Sequence, residues 1–458
     1  MSTSRPDNAA SAAGTPEPSG RGSVTFTTAT AIAIADMIGI GVFTSLGFQV
    51  KDIPSGFALL MLWTIGGVVA VCGALSYAEL ATALPRSGGE YNFLSRIYHR
   101  AVGFLAGWIS GTIGFAAPVA VAAMAFGQYF IGVAPSGPPV WLLAIAIIWI
   151  VSAFHLAGVR QGSAFQNIST LLKIALIVGF IIAGFVLGER STLSFAPAPQ
   201  DLGLILSAPF AISLVYVMYS YSGWNAATYI AGEVRDPHKT LPLSLLVAVL
   251  VVMGLYVALN AVFLYTTPTS ALAGQVDVGM IAGRHIFGES GGRIVGGLIC
   301  LGLVSAISSM MWIGPRVTMV MGEDMPLFRA FAKRTPSGTP NRAILLQAVV
   351  ATGLVLTGSF ESVVQFIQFS LMFCSLLAVT GVIVLRWTQP DLPRPYRIWA
   401  YPLPPLIFMA VTIFMMVHQL RGKPVESLGG LALMLTGLGV WAYSERFGAS
   451  TAKVGSDG

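Results

Sequence analysis

Apolar runs of about twenty residues recur from residue 28 onward, separated by brief polar stretches, a pattern that suits helices crossing a bilayer. Twelve such spans are predicted, at residues 28–50, 56–83, 101–132, 139–157, 163–187, 207–231, 241–265, 293–321, 342–358, 362–386, 401–419 and 427–445. Only the link from Gly358 to Glu361 separates the ninth from the tenth. Residues 1–23 are rich in Ser, Pro, Gly and Ala and have no apolar run, so they are expected to form a disordered tail and not a signal peptide. Residues 24–446 make up one membrane domain, and residues 447–458 form a second short tail.

Three spans carry groups that a plain membrane helix does not need. The first reads IADMIGIGVF over residues 34–43, with Asp36 followed by Gly39 and Gly41. Glycines at mid-depth either interrupt the helix beside a polar cavity or let a neighbouring helix approach closely. Asp36 favours the cavity, because an ionised side chain there costs about 2.5–3.5 kcal/mol and is seldom kept without a function. The sixth span reads VYVMYSYSGWNAATYIAGEVRDPHKTLP over residues 215–242, with Ser220, Ser222 and Gly223 at its middle. It is predicted to be interrupted as well. The two interrupted spans lie five apart, and paired interruptions in two halves of a chain mark the midplane site of an inverted-repeat transporter. In the fifth span Lys173 stands about ten residues deep between Leu172 and Ile174, too far in to snorkel, so its ammonium needs a carboxylate or a group of carbonyls.

Composition agrees with the pattern: 55% of residues are apolar, 10% are charged, and the mean hydropathy is +0.78. The net charge of +6 does not point to nucleic acid, because the basic residues fall in loops. One set of loops holds Arg86, Arg96, Arg100, Arg160, Arg235, Lys239, Arg329, Lys333, Arg334, Arg342, Arg386, Arg394 and Arg397, whereas the other holds Lys51, Arg190, Arg284, Arg293, Arg421 and Lys423. Both termini fall on the richer side and are predicted to be cytoplasmic. Cys72, Cys300 and Cys374 lie in apolar stretches at no metal-ligand spacing. His99, His155, His238, His285 and His418 are dispersed, so no enzyme, metal site or cofactor is expected.

The stretch ALSYAELATALPRSGGEYNFLSR (residues 74–96), together with the interrupted first span, resembles the amino acid-polyamine-organocation transporters. So do the Ser222–Asn225 run with its exit through Asp236 and Pro237, the stretch 316–344 with Arg316 and Asp324, and the stretch 385–405. The resemblance covers about residues 25–420 and includes members close to cationic and L-type amino acid transporters. It implies an all-α integral membrane fold with a LeuT-type 5+5 inverted repeat and broken helices 1 and 6. Repeat one would cover about 28–187 and repeat two about 207–386, with helices 11 and 12 at about 401–445. Ile40 stands where members often have Ser, and Asp36 where many have a neutral residue. Glu79 and Arg86 are expected to form either a gate or a plain cytoplasmic ion pair.

Half-helix physics then suggests how a substrate would be held. Amides where helix 1 resumes after Gly41 suit a carboxylate, while carbonyls at Asp36–Ile38 and Tyr219–Ser222 suit an ammonium group, so Met37, Ile38, Gly39, Ile40 and Gly41 all enter the candidate substrate site. Tyr219, Ser220, Ser222, Gly223, Met124, Ser308, Ser309 and Phe369 complete the candidate substrate site, with Tyr219 as a lid. Asp36 and Lys173 are candidates for coupling. Lys173 matches a lysine that, in sodium-independent members, stands near the sodium site of sodium-driven relatives. It is read either as that charge or as a structural lysine bonding helix 1 carbonyls.

The expected function is a secondary active amino acid permease of the cytoplasmic membrane. It would work by alternating access, independently of sodium, with proton coupling or exchange and no obligate protein partner. A neutral amino acid is the first choice of substrate. A cationic amino acid or polyamine becomes the alternative if Asp36 faces the cavity. A non-transporting sensor would be expected to add a long soluble tail, and a channel a continuous polar stripe.

Overall fold

The computed structural model describes residues 24–336, 338–357 and 360–454. The predicted tail at 1–23 and the link residues Gly358 and Ser359 lie outside the described residues. Apart from one isolated bridge between Val24 and Val234, regular structure among the described residues is helical. The elements used below are α1 (Phe26–Met37), α2 (Gly41–Gln49), α3 (Gly56–Ala83), α4 (Glu90–Ile97), α5 (Arg100–Ile109) and α6 (Ala116–Val133). They continue with α7 (Val140–Leu156), α8 (Val159–Leu187), α9 (Asp201–Ile205), α10 (Ala208–Tyr221), α11 (Pro237–Thr266), α12 (Thr269–Leu272) and α13 (Val278–Asp324). The last four are α14 (Asn341–Thr357), α15 (Phe360–Thr388), α16 (Leu403–Gly422) and α17 (Pro424–Val454).

Among the described residues, nine helices are long and apolar enough to cross a membrane. The other three predicted spans are shorter for identifiable reasons. Residues 139–157 and 342–358 become α7 and α14, apolar helices of 17 residues each, and residues 207–231 are divided after Tyr221. Helix α17 continues to Val454, past the residue-446 boundary predicted for the tail. Helix α13 begins at Val278, before the charged residues that made 293 the predicted start, and bends at Gly288, where φ is +74°.

The burial pattern inverts that of a water-soluble protein. Helix α1 is enclosed by α8, α11 and α13, and its Ile32, Ala33 and Ala35 are fully buried. Outward positions on α8 carry Ile168, Leu171, Ile182 and Val186, which are 58–74% exposed. A continuous exposed belt of large apolar side chains is stable only against lipid. The chain is an integral membrane protein.

One face of the molecule is laced by charge. Arg86 donates to both carboxylate oxygens of Asp324 (2.8 and 2.9 Å) and to Glu323 (3.3 Å), while the Tyr91 hydroxyl also donates to Asp324. Beneath them Arg316 forms a two-pronged pair with Glu233, at 3.0 and 3.3 Å. Glu79 accepts two bonds from Arg386 and one from the Ile398 amide, joining α3 to the end of α15 and the loop beyond. Glu79 and Arg86 therefore do not pair with each other, contrary to one sequence expectation. Each has a nearer partner contributed by a distant part of the chain. Val24 and Glu445, near the two ends of the described chain, both lie on this face, the first bridged to Val234 and the second beside Arg86 and Arg96.

Because Arg86 is 43% exposed, its pair is screened by water, and Arg86→Ala is expected to lower stability by no more than about 1 kcal/mol. The difference should vanish in high salt, and thermal unfolding in detergent at two ionic strengths measures it.

Candidate functional site

Helix 1 is interrupted where the glycines predicted it. α1 ends at Met37, residues 38–40 are non-helical, and α2 begins at Gly41. Gly41 packs against α10 so closely that an added Cβ would come within 2.9 Å of the Ser220 Cα, whereas a Cβ on Gly39 would meet nothing within 4 Å. Gly41 thus shows the close approach of the second sequence reading, whereas Gly39 has open space beside it. α10 likewise stops at Tyr221. Ser222 is extended, Gly223 takes φ +99°, and the chain continues through a turn over Ala226–Glu233. An added Cβ on Gly223 would press on Asp36, at 2.8 Å from its carbonyl carbon, so the two interruptions face each other directly.

Between them is a cavity of about 90 Å³, several times the roughly 10–15 Å³ that a single water needs. Its polar lining is Asp36, Ser222, Asn225, Tyr229, Ser110, Gln368, Ser375, Thr412 and Glu90, and its apolar lining includes Phe115, Met218, Trp224, Met310 and Phe408. Among the described residues no Lys, Arg or His lines it. On the other side of the break is a smaller cavity of about 40 Å³, lined by Lys173, Ile38, Gly39 and Phe43. The interruption thus divides a space holding a carboxylate from one holding an ammonium.

Lys173 is buried and donates to the carbonyls of Ile38 (2.6 Å) and Ala35 (3.3 Å), which flank Asp36 along the chain. No Asp36–Lys173 contact falls within 4.0 Å, and Oδ1 of Asp36 has no hydrogen-bond partner. The two charges meet through the same four-residue stretch of backbone. The Tyr256 hydroxyl, on α11, bridges the carbonyls of Met37 and Ser220, one from each interrupted helix. Several carbonyls that the sequence offered to a substrate ammonium are therefore already engaged: Met37 and Ser220 by Tyr256, Ile38 by Lys173, and Tyr219 by the Ser222 amide and hydroxyl.

On the amide side, Phe43 N–H bonds to Ile40 O, while the first amides of α2, at Gly41 and Val42, precede any intrahelical partner. Ile40 offers a backbone amide only, and its buried side chain packs with the cluster around α6. Of the remaining predicted residues, Ser222 and Gly223 line the cavity with Asp36. Ser309 lies beside Asp36 and donates to Ile32 O at 3.0 Å. Ser220 bonds to Ser45 and to Tyr216 O. Ser308 turns the other way, to His155 at 2.9 Å. Met124 lines a separate cleft with Asp277 and Arg284. Phe369 is buried on α15, but its neighbours Gln368, Leu371 and Met372 line the cavity. Tyr219 is half-buried against the α6 cluster and does not line the cavity.

Sequence reasoning missed Tyr256, Glu90, Asn225, Gln368 and the π-helical turn Ser110–Gly114 between α5 and α6. The π turn had a readable signal, since π turns gather at functional sites and this one is spelled SGTIG inside an apolar span.

Comparison with known proteins gives this geometry a context. The amino acid permease family model matches residues 24–442. The chain is 28% identical to the human b(0,+)-type amino acid transporter 1 over 418 residues, covering 89% of this chain and 84% of the relative. It is also 28% identical to the human large neutral amino acids transporter small subunit 2 over 424 residues, covering 90% and 78%. The mouse b(0,+)-type transporter 1 is 27% identical over 425 residues, covering 89% and 84%. With two interrupted helices meeting at a buried cavity and a family match running from the first described strand-like bridge into α17, this chain belongs to the amino acid permease family of the amino acid-polyamine-organocation superfamily.

Proposed function

We propose that the protein is a secondary active permease that carries amino acids across the cytoplasmic membrane by alternating access, with its charged face and both termini toward the cytoplasm. The observation that carries this reading is the cavity in which Asp36, in the last turn of α1, faces Ser222, Gly223 and Asn225 of the interruption after α10. In the proposed arrangement twelve spans form a 5+5 inverted repeat, residues 28–187 and 207–386, and the last two spans stand outside it. The unpartnered amides of α2 would take the substrate carboxylate at the positive end of a helix. The amino group would take the carboxylate of Asp36, a residue that lines the cavity and whose Oδ1 has no hydrogen-bond partner. That assignment replaces the engaged carbonyls.

A small neutral amino acid matches the cavity volume. A cationic amino acid or polyamine is the second reading, favoured by the presence of two carboxylates, Asp36 and Glu90, and no basic residue in the described lining. Coupling to sodium is disfavoured by Lys173, whose ammonium occupies the carbonyls of Ala35 and Ile38 and would repel a second cation. One relative is named a small subunit. All three cysteines of the present chain are buried, so we propose that it works without a disulfide-linked partner.

Purified protein in liposomes is expected to take up radiolabelled alanine saturably, at the same rate when sodium is replaced by choline. Lysine competition separates the two substrate readings. Steep sodium dependence would overturn the role given to Lys173, and absence of any amino acid uptake would overturn the permease reading.

A further inference from the structure

Glu90 is the second carboxylate lining the central cavity, and the neutral amino acid reading gives it no contact with the substrate. It opens α4, ahead of the membrane-crossing segment that begins at Arg100, and is 2% exposed. Its Oε1 accepts from the Ser375 hydroxyl of α15 at 2.8 Å and from the Tyr77 hydroxyl of α3. Among the described residues no Lys, Arg or His comes within 4.0 Å of it. The titratable groups that face it are Tyr77 from α3, Tyr229 from the 226–233 turn, Cys374 from α15 and, across the cavity, Asp36. None of these is a cation. Arg96 and Arg100, on α4 and α5, line the outer cleft with Arg86 instead.

A carboxylate buried without a counter-ion is held more cheaply as the neutral acid. Burial pushes the Glu90 carboxyl above the usual carboxylate range, and the two hydroxyl donors only partly offset it. Glu79 provides the contrast within the same chain, equally buried but bound by Arg386.

Resting on the permease reading, we propose that Glu90 is the group that binds and releases the transported proton, as distinct from Asp36 and Lys173. With the charged face closed, Glu90 is the neutral acid. Opening that face parts Arg86 from Asp324 and admits water to the floor of the cavity. There the Glu90 O–H bond breaks, the electron pair stays on the carboxylate, and water takes the proton. The event reaches the substrate wall through Tyr77, whose ring meets Trp224 of the α10 interruption edge-on with centroids 4.6 Å apart. A neutral Glu90 also leaves Asp36 as the cavity's single negative charge, which suits a zwitterion.

The test uses the full-length protein in liposomes with radiolabelled alanine, measuring alanine–alanine exchange and uptake driven by an imposed proton gradient. Glu90→Gln, a permanent neutral mimic, is expected to lose stimulation by the gradient, so that whatever exchange it shows no longer responds to it. Exchange with stimulation intact would overturn the assignment of Glu90 alone, whereas no exchange in the unaltered protein would bring down the permease reading and this inference with it. If Glu90→Gln does not fold, Tyr77→Phe decides. Removing one donor to the ionised form should raise the pH midpoint of stimulation by about one to two units, the worth of one hydrogen bond to a charged group. An unmoved midpoint would assign Glu90 a structural role only and refute the proposal.

Discussion

Gly41→Val abolishes substrate binding while the protein still inserts and folds. That is the expected result, and two effects combine to produce it. The new Cβ falls 2.9 Å from the Ser220 Cα, a backbone atom that cannot rotate away, so α2 and α10 must separate. Separation displaces the amides of Gly41 and Val42 from the position where they meet a carboxylate. Each charge-assisted hydrogen bond lost costs about 1.5–3 kcal/mol, so two lost together weaken binding by at least about 100-fold. Gly39→Ala is the matched control, because its methyl group enters the empty space on the Lys173 side. Equilibrium binding of radiolabelled substrate to both variants distinguishes them. Equal affinity of Gly41→Val and the parent protein would remove the first interruption from the site.

Asp36→Asn and Lys173→Ala are each expected to lower transport by about 10- to 150-fold, the range set by one lost hydrogen bond to a charged group. The double variant should be no worse than the poorer single. The two side chains are not in direct contact, so the reason is mechanical as well as electrostatic. Lys173 holds Ala35 O and Ile38 O, and these fix the backbone that aims Asp36. Once the lysine is gone, the carboxylate is already misdirected and its removal costs little more. A coupling of about 0.5–3 kcal/mol in the double-mutant cycle is expected. Additive losses would show that Asp36 and Lys173 act independently.

The positions of the breaks were legible in the sequence because their causes are local. Gly41 allows an approach and Gly223 a conformation that side chains forbid, and they do so wherever the rest of the chain goes. The burial of Lys173 was legible from its depth in an apolar run. That it bonds helix 1 carbonyls was one reading of the family resemblance, but its particular partners, Ala35 and Ile38, and those of Tyr256, at Met37 and Ser220, were not legible, because hydrogen bonds between residues 36 to 219 positions apart leave no periodicity to read. The same holds for Ser308. Helical placement put it beside Ser309, but consecutive residues on a helix point about 100° apart, so one reaches Ile32 O and the other His155. Glu90 was passed over because its neighbours Arg86, Gly88 and Gly89 made it look like part of a solvated loop. Only the fold of that loop back under α15 buries it.

The lysine ammonium held against the carbonyls of helix 1 also bears on what can drive the molecule. A diffusible ion bound at such a place has a chemical potential on each side of the membrane, and the difference can do work on a cargo. An ammonium tethered to α8 has none. While protonated it supplies the local field of a bound ion, and the side chain itself never leaves, so it cannot be filled from one compartment and emptied into the other as a free cation can. Accumulating a cargo beyond equilibrium would then require a second travelling species, and without one the same geometry can only relax existing gradients or trade one solute for another.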